Sequence, residues 1–125
     1  MQYLLTIWME ETDFELTPEA MAPWAAFNNE AADAGMLRGG SGLQPSTTAT
    51  TVRGGGEVVL TDGPFVETKE QLAGYYVVDC ADLDEAIAWA KKVPAVLWGA
   101  AIEVRPTAGG TDIAENSDAA GTAAS

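Results

Sequence analysis

Leu72-Ala73-Gly74-Tyr75-Tyr76-Val77-Val78-Asp79 is the most strongly β-forming stretch of the sequence, and it decides the fold. Side chains alternate between the two faces of a strand, and here apolar residues fall on both faces. One face carries Leu72, Tyr76 and Val78, and the other carries Ala73, Tyr75 and Val77. A strand that is apolar on both faces is typical of a sheet that is covered on both sides.

The two ends of the domain are predicted to supply further strands of the same sheet. Residues 1–9 are rich in β-branched and aromatic types, and residues 100–105 form a last apolar run that Pro106 ends. The first strand is again apolar on both faces: Tyr3, Leu5, Ile7 and Met9 oppose Leu4, Thr6 and Trp8.

Two helices are predicted between these strands. Thr17 is a predicted N-cap, Pro18 follows at the first helical position, and an apolar stripe with helical spacing runs from there to Gly35. Gly35 is a predicted left-handed C-cap. Asp82 is the predicted N-cap of the second helix, and Glu85 three residues later completes a capping-box pattern.

The middle of the chain predicts a β-hairpin. Residues 47–53 and 57–60 read as strands, and Gly54-Gly55-Gly56 connects them tightly. A turn at Asp62-Gly63-Pro64 follows, and residues 65–71 are a polar excursion before the strong strand.

This order of elements predicts an α+β, ferredoxin-like fold with an inserted central β-hairpin. Two helices can cover only one face of such a sheet, yet the strands are apolar on both faces. We therefore expect a homodimer in which a second copy covers the other face, with an interface above roughly 1,000 Å². The alternative is that the hairpin of residues 36–60 folds over that face.

The composition excludes several classes of partner. The formal net charge of −13 repels phosphate backbones and anionic membrane surfaces, so we expect neither nucleic-acid nor membrane binding. The chain has no histidine, which removes the usual general base near neutral pH and the commonest metal ligand. No cofactor is therefore expected.

The same composition predicts the setting and the extent of the domain. With Cys80 as its one cysteine, the chain cannot form an internal disulfide, which fits a cytoplasmic protein. The first apolar run is too short for a signal peptide or a membrane span. Residues 1–106 are predicted to form one domain, and residues 107–125 an acidic, Ala/Gly-rich, disordered tail.

A long central segment reads Thr61-Asp62-Gly63-Pro64-Phe65-Val66-Glu67-Thr68-Lys69-Glu70-Gln71-Leu72-Ala73-Gly74-Tyr75-Tyr76. This segment resembles the signature of the DGPF proteins, a branch of the YCII-related family. Residues 43–53 and 103–106 match the same pattern, so the resemblance spans residues 1–106. It implies a fold of the dimeric α/β barrel type. It also implies a bacterial setting, because such proteins are often encoded beside extracytoplasmic-function sigma factors.

The resemblance also bears on catalysis. Some YCII-related enzymes act on small aromatic compounds, and a histidine–aspartate pair is proposed for their acid–base chemistry. Counting back from Gly35 places Trp24 where the histidine would lie, and Asp33 near the aspartate. The pair is therefore broken, and their mechanism does not carry over to this chain.

Asp62 and Lys69 are the predicted catalytic residues, if the protein is an enzyme. Asp62 precedes a rigid Gly-Pro turn that could present it and Phe65 at the mouth of a cleft; alternatively, it only fixes the turn. Lys69 lies with Glu67 in a mixed-charge cluster and could orient an anionic substrate or act as a base. The alternative is an exposed ion pair.

A ligand pocket is predicted between the sheet and the helices. Trp8, Trp24, Phe27 and Tyr75 could line a site for flat aromatic ligands, or they could be plain core. Arg38 and Arg105 could meet a carboxylate or phenolate, or form surface salt bridges. Phe65 and Glu67 complete the predicted pocket residues.

Two other groups of residues are predicted to carry no chemistry. Glu10, Glu11, Asp13 and Glu15 could bind a hard cation, but their spacing fits no defined calcium loop, so no metal site is expected. Cys80 has no basic neighbour in sequence to lower its pKa and is expected to be an inert thiol.

The sequence supports two functions. The first is a small-molecule enzyme or binder, with a small aromatic or carboxylate ligand in a pocket between sheet and helices. The second is a non-enzymatic regulatory or interaction protein linked to a sigma-factor pathway, which the missing histidine and the resemblance favour.

Overall fold

The computed structural model describes residues 1–11 and 17–108. Their elements, in chain order, are β1 (Gln2–Glu10), α1 (Pro18–Asp33), β2 (Leu37–Gly42), β3 (Thr50–Arg53), β4 (Val59–Asp62), β5 (Glu70–Asp79), α2 (Leu83–Ala90) and β6 (Ala101–Pro106). Short 3₁₀ turns lie at Ser46–Thr48 and Pro94–Trp98. Most of the tail predicted at 107–125 lies outside the described residues, as do Asp13 and Glu15.

Four strands form one antiparallel sheet in the order β2-β5-β1-β6. β1 pairs with β5 on one side and with β6 on the other, so that Leu5 lies opposite both Tyr76 and Val104. The predicted α+β class is therefore confirmed, and the arrangement is compatible with a ferredoxin-like fold.

The helix starts follow from their capping residues. The Thr17 hydroxyl accepts a hydrogen bond from the backbone N–H of Ala20 at 3.1 Å, and the Asp82 carboxylate accepts one from that of Glu85 at 2.9 Å. Each bond satisfies a donor of the first turn that has no partner within the helix. Both predicted N-caps are confirmed, and Gly35 (φ 73°) follows α1 in the left-handed conformation.

The core lies between one face of the sheet and the two helices. Leu5 and Val78 from the central strands are fully buried, and Phe27 and Ala31 from α1 pack into the same cluster. Ala86 and Ala90 contribute the buried face of α2. Burying side chains of this size stabilises the fold by about 1.5–3 kcal/mol for each large one.

The opposite face of the sheet carries an apolar surface of its own. The register pairs Leu4 with Val77 and Thr6 with Tyr75, one residue out of step with the buried pair Leu5 and Tyr76. Trp8 shares this face and is only partly buried. We call Leu4, Thr6, Trp8, Tyr75 and Val77 the open face.

β3 and β4 form a separate antiparallel pair in the middle of the chain, with Val52 opposite Leu60. The first of these strands begins at Thr50, not at residue 47, because residues 46–48 turn tightly and the Thr48 N–H donates to the Pro45 carbonyl. Asp62 is the last residue of β4 and Gly63 (φ 104°) begins the turn, since only glycine adopts this conformation readily.

Candidate functional site

A cleft of about 340 Å³ opens between the sheet and α1. It lies at the end of the sheet where β2, β5 and β1 meet, and the turn at Pro94–Trp98 closes one side. Its volume is at the small end of the range for ligand pockets. The lining residues are Ile7, Met9, Met21, Trp24, Asn28, Gly40, Ser41, Gly42, Leu43, Ala73, Gly74, Tyr75, Tyr76 and Trp98.

The floor of the cleft consists largely of glycine. Gly40 lies opposite Tyr76, and Gly42 lies opposite Gly74, in the pairing of β2 with β5. The Tyr76 side chain points toward α1, so these glycines are on the same face of the sheet. Gly40 and Gly42 are exposed and have no side chains, so the backbone of β2 is open to the cleft there.

Aromatic and sulfur-containing side chains form the walls. The rings of Trp24 from α1 and Trp98 from the 3₁₀ turn lie 6.2 Å apart at 52°. Met9 and Met21 lie beside them. Indole faces and thioethers are large, polarisable surfaces that pack well against flat apolar molecules.

One polar pair lies at the edge of this apolar surface. The Tyr76 hydroxyl donates a hydrogen bond of 2.7 Å to the Asn28 side-chain carbonyl. Burial raises the pKa of the Tyr76 phenol, so it stays protonated and neutral at physiological pH. Asn28 is exposed, and its Nδ2 group carries the two donors that the side chain can offer to a ligand.

The cleft is electrically neutral over the part of the chain that the structure describes. None of the lining residues there is an acid or a base. Placing a charged ligand against such a surface would remove water from the charge without providing an opposite one, which is costly. The net charge of −13 adds a repulsion for anions.

Two of the predicted pocket residues line the cleft, Trp24 and Tyr75. Tyr75 lines it from β5, while the alternation of side chains along the strand turns its ring to the open face. Trp8 lies on the open face, where its indole N–H donates to the Thr6 hydroxyl at 2.9 Å. Phe27 is 4% exposed and belongs to the core, where its ring packs against Tyr76 at 5.1 Å and Trp89 at 6.2 Å.

The predicted residues between positions 62 and 69 lie on the surface and do not line this cleft. Asp62 and Glu67 are exposed, and Lys69 is 79% exposed, with its Nζ 3.9 Å from a Glu10 carboxylate oxygen. Phe65 is 67% exposed, and its ring lies 5.1 Å below the Arg53 guanidinium.

The two remaining arginine candidates form surface interactions. Arg38 donates to the Gly35 carbonyl at 2.8 Å and to the Asp79 carboxylate at 3.3 Å. Arg105 pairs with Glu103 on the same strand at 3.0 Å. Neither lines the cleft.

Sequence reasoning missed most of the residues that build the cleft, among them Met9, Asn28, Gly42, Tyr76 and Trp98. One signal was present: Asn28 follows Trp24 by four residues, which places both on one side of α1. The glycines of residues 39–42 match no phosphate-loop pattern and form no other binding motif in the sequence. Their value as a flat floor depends on the strand opposite them.

The surroundings of Glu11 and Cys80 explain the direction in which the pKa of each is shifted. Glu11 accepts a very short hydrogen bond from the Ser46 hydroxyl and one of 2.6 Å from its backbone N–H, and these bonds lower the pKa of Glu11. Among residues 1–11 and 17–108, no group of three or more potential ligands could hold a metal ion. Cys80 is buried, and burial is the main reason why its pKa is raised.

Fold and site together define a class of protein: a small α+β domain with helices on one face of its sheet and an aromatic cleft between them, whose described lining carries no charge. The family model of the YCII-related domain matches residues 1–108, and the chain belongs to this family. The membership predicted from the central segment is confirmed. In the helices that the structure describes, no apolar stretch is long enough to cross a membrane.

A relative in Rhizobium meliloti (strain 1021) supports the assignment. The two sequences are 42% identical over 85 residues, which is 67% of this chain and 65% of that protein. The relative is described as an uncharacterized protein. The matched part of this chain thus covers slightly less than two thirds of the relative's length.

Proposed function

We propose that the protein binds a small, uncharged aromatic molecule in the cleft between the sheet and α1. The observation that carries this proposal is the cleft itself, about 340 Å³ with aromatic and methionine walls and no charged side chain among the described residues that line it. A site of this kind gains affinity from apolar contact and needs few polar groups for orientation. Asn28 and Tyr76 supply those groups at its edge.

An aromatic ligand fits this lining better than a carboxylate ligand does. A carboxylate needs a cation or several N–H donors to replace its hydration. Arg38 pairs instead with Asp79, and Lys69 lies 3.9 Å from Glu10. The proposal therefore favours the aromatic of the two ligand classes that the sequence suggested.

Two fluorescent dyes test the proposal, because they differ mainly by one charged group. N-phenylnaphthylamine is neutral, and anilinonaphthalene sulfonate carries a sulfonate on the same ring system. We expect the neutral dye to bind with increased fluorescence and the sulfonated dye to bind at least about tenfold more weakly. Equal binding of both dyes, or of neither, would contradict the proposal.

A matched pair of variants locates the dye. Trp24→Ala removes a wall of the cleft and should weaken binding of the neutral dye about tenfold, in line with the loss of a buried aromatic contact. Leu60→Ala is the control, because it removes an apolar side chain that is 68% exposed on β4. If both variants lost affinity equally, the dye would not be bound specifically in the cleft.

The protein is also proposed to be a homodimer through the open face. The support is the apolar row of Leu4, Trp8, Tyr75 and Val77 on the side of the sheet that faces away from the core cluster. A second sheet would remove this surface from water. Light scattering after size exclusion tests it, and a monomer at micromolar concentration would contradict it.

A second function, that of a non-enzymatic interaction protein, is favoured by the hairpin. Val52 and Leu60 are 64% and 68% exposed and lie opposite each other on β3 and β4. Val58 and Val59 of the same hairpin are also exposed, and contiguous apolar surface of this kind marks interaction sites. A link to a sigma-factor pathway rests on the family resemblance alone, and a Val52→Asp variant that loses a partner while keeping dye binding would support this second function.

A further inference from the structure

Three glycines form the floor of the cleft, and two of them are required by close packing. A Cβ on Gly40 would lie 2.6 Å from the Tyr75 carbonyl oxygen and 2.8 Å from the Tyr76 ring, and its φ of 157° is unusual for other residues. A Cβ on Gly74 would lie 2.9 Å from the Ser41 carbonyl oxygen. Both positions need glycine to let β2 and β5 approach each other.

Gly42 is different, because neither packing nor backbone conformation requires it. A Cβ built on Gly42 has no heavy atom within 4 Å, and its φ is not in the left-handed region. It lies two residues after Gly40 on β2, on the face that carries the Tyr76 side chain. A side chain at Gly42 would therefore project into the cleft and occupy space there.

We propose that Gly42 determines the size of the ligand by keeping the floor flat. With hydrogen in place of a side chain, a planar ring can lie against the backbone of β2 and β5, under the walls formed by Trp24 and Trp98. Planar ring systems gain most contact from a flat floor, because a whole face of the ring touches the sheet. This inference rests on the proposed function, and it adds the shape of the ligand and the residue that limits it.

Variants at Gly42 and two neutral probes of different size test the inference. Indole represents a small ring system, and N-phenylnaphthylamine represents a larger one. We expect Gly42→Ala to weaken binding of the larger probe by about tenfold while indole still binds, since one methyl group in a close-fitting pocket changes affinity by that order. Gly42→Leu is expected to abolish binding of the larger probe and to weaken indole.

Gly39 provides the matched control on the same strand. It precedes Gly40, lies opposite Val77 and so points to the open face, and a Cβ there also has no heavy atom within 4 Å. Gly39→Ala and Gly39→Leu are expected to leave both probe affinities unchanged. Thermal melts of all four variants are recorded to show that β2 still forms.

The outcomes separate this inference from the proposed function. Selective loss of the larger probe at Gly42, with none at Gly39, supports the inference. Undiminished binding in Gly42→Leu, or equal losses at both glycines, overturns it while the proposed function stands. Failure of the wild-type protein to bind either probe overturns both. If Gly42→Leu does not fold, Gly42→Ala tests the inference instead. A lower affinity for the larger probe relative to indole supports it, and an unchanged ratio of the two affinities overturns it.

Discussion

Tyr76 holds Asn28 at the edge of the cleft through a hydrogen bond of 2.7 Å, donated by its phenol to the asparagine carbonyl oxygen. The ring of the same tyrosine packs against Phe27, the residue before Asn28, at 5.1 Å. One side chain of β5 therefore contacts two consecutive residues of α1. Because α1 forms a wall of the cleft, this contact fixes the distance between wall and floor.

Tyr76→Phe is expected to lower the free energy of unfolding by about 1 kcal/mol, the usual contribution of one hydrogen bond. The variant keeps the ring contact with Phe27 and loses only the hydroxyl group. Chemical denaturation measures the change. Tyr75→Phe is the control, because its ring lies on the open face; an equal loss there would show that the effect does not come from the bond to Asn28.

The same tyrosine makes the stability sensitive to alkaline pH. Burial raises the pKa of Tyr76 above its ordinary value of about 10, so the folded state holds its proton more tightly than the unfolded state. Its contribution is fully present below the unfolded pKa and is lost as the pH rises through the folded pKa.

We therefore expect the free energy of unfolding to fall above a pH of about 10, and to fall less steeply in Tyr76→Phe. Denaturation at a series of alkaline pH values measures both slopes. The difference between the two slopes isolates the contribution of Tyr76 from that of every other group. Parallel slopes would contradict the assignment.

The sequence predicted the scaffold better than the site, for a physical reason. Caps such as Thr17 and Asp82 act through bonds to residues only three positions away, so they are visible in the sequence. The apolar stripe of α1 contains both Trp24 and Phe27, but helical spacing does not say which of them meets a filled part of the sheet. Phe27 packs against Tyr76, whereas Trp24 lines the cleft together with Gly40 and Gly42 of β2.

Asp79 is expected to make the stability sensitive to acid. The pKa of Asp79 is lowered mainly by the Met1 amino group, which donates a hydrogen bond of 3.0 Å to the carboxylate and carries a positive charge. The Arg38 guanidinium, 3.3 Å away, lowers it further. A lowered folded pKa contributes stability that is present above the unfolded pKa of about 4 and is lost as the pH falls through the folded pKa.

Asp79→Asn should accordingly lower the melting temperature at neutral pH and reduce its decline toward acid. The effect is expected to be small, because these groups are all substantially exposed. Melting curves between neutral and acid pH measure it. Asp33→Asn makes the same chemical change at an exposed position, and an equal shift in that control would contradict a specific role for Asp79.

The last prediction concerns Asp62 and Lys69, the catalytic candidates of the central segment. Two hydrogen bonds join the turn after β4 to the start of β3. The Gly63 N–H donates to the Ala49 carbonyl at 2.7 Å, and the Thr51 hydroxyl donates to the Gly63 carbonyl at 2.8 Å. Neither contact uses the Asp62 carboxylate. The Lys69 side chain is 79% exposed beside Glu10.

An Asp62→Asn, Lys69→Ala double variant is therefore expected to bind the neutral dye within about twofold of the wild-type affinity, since surface changes usually stay within about 0.5 kcal/mol. Titration of dye fluorescence measures it, with Trp24→Ala as the variant that must lose affinity. A double variant that lost affinity as Trp24→Ala does would mean that the turn after β4 reaches the ligand. In that case residues 62–69, and not only the cleft between the sheet and α1, would belong to the binding site.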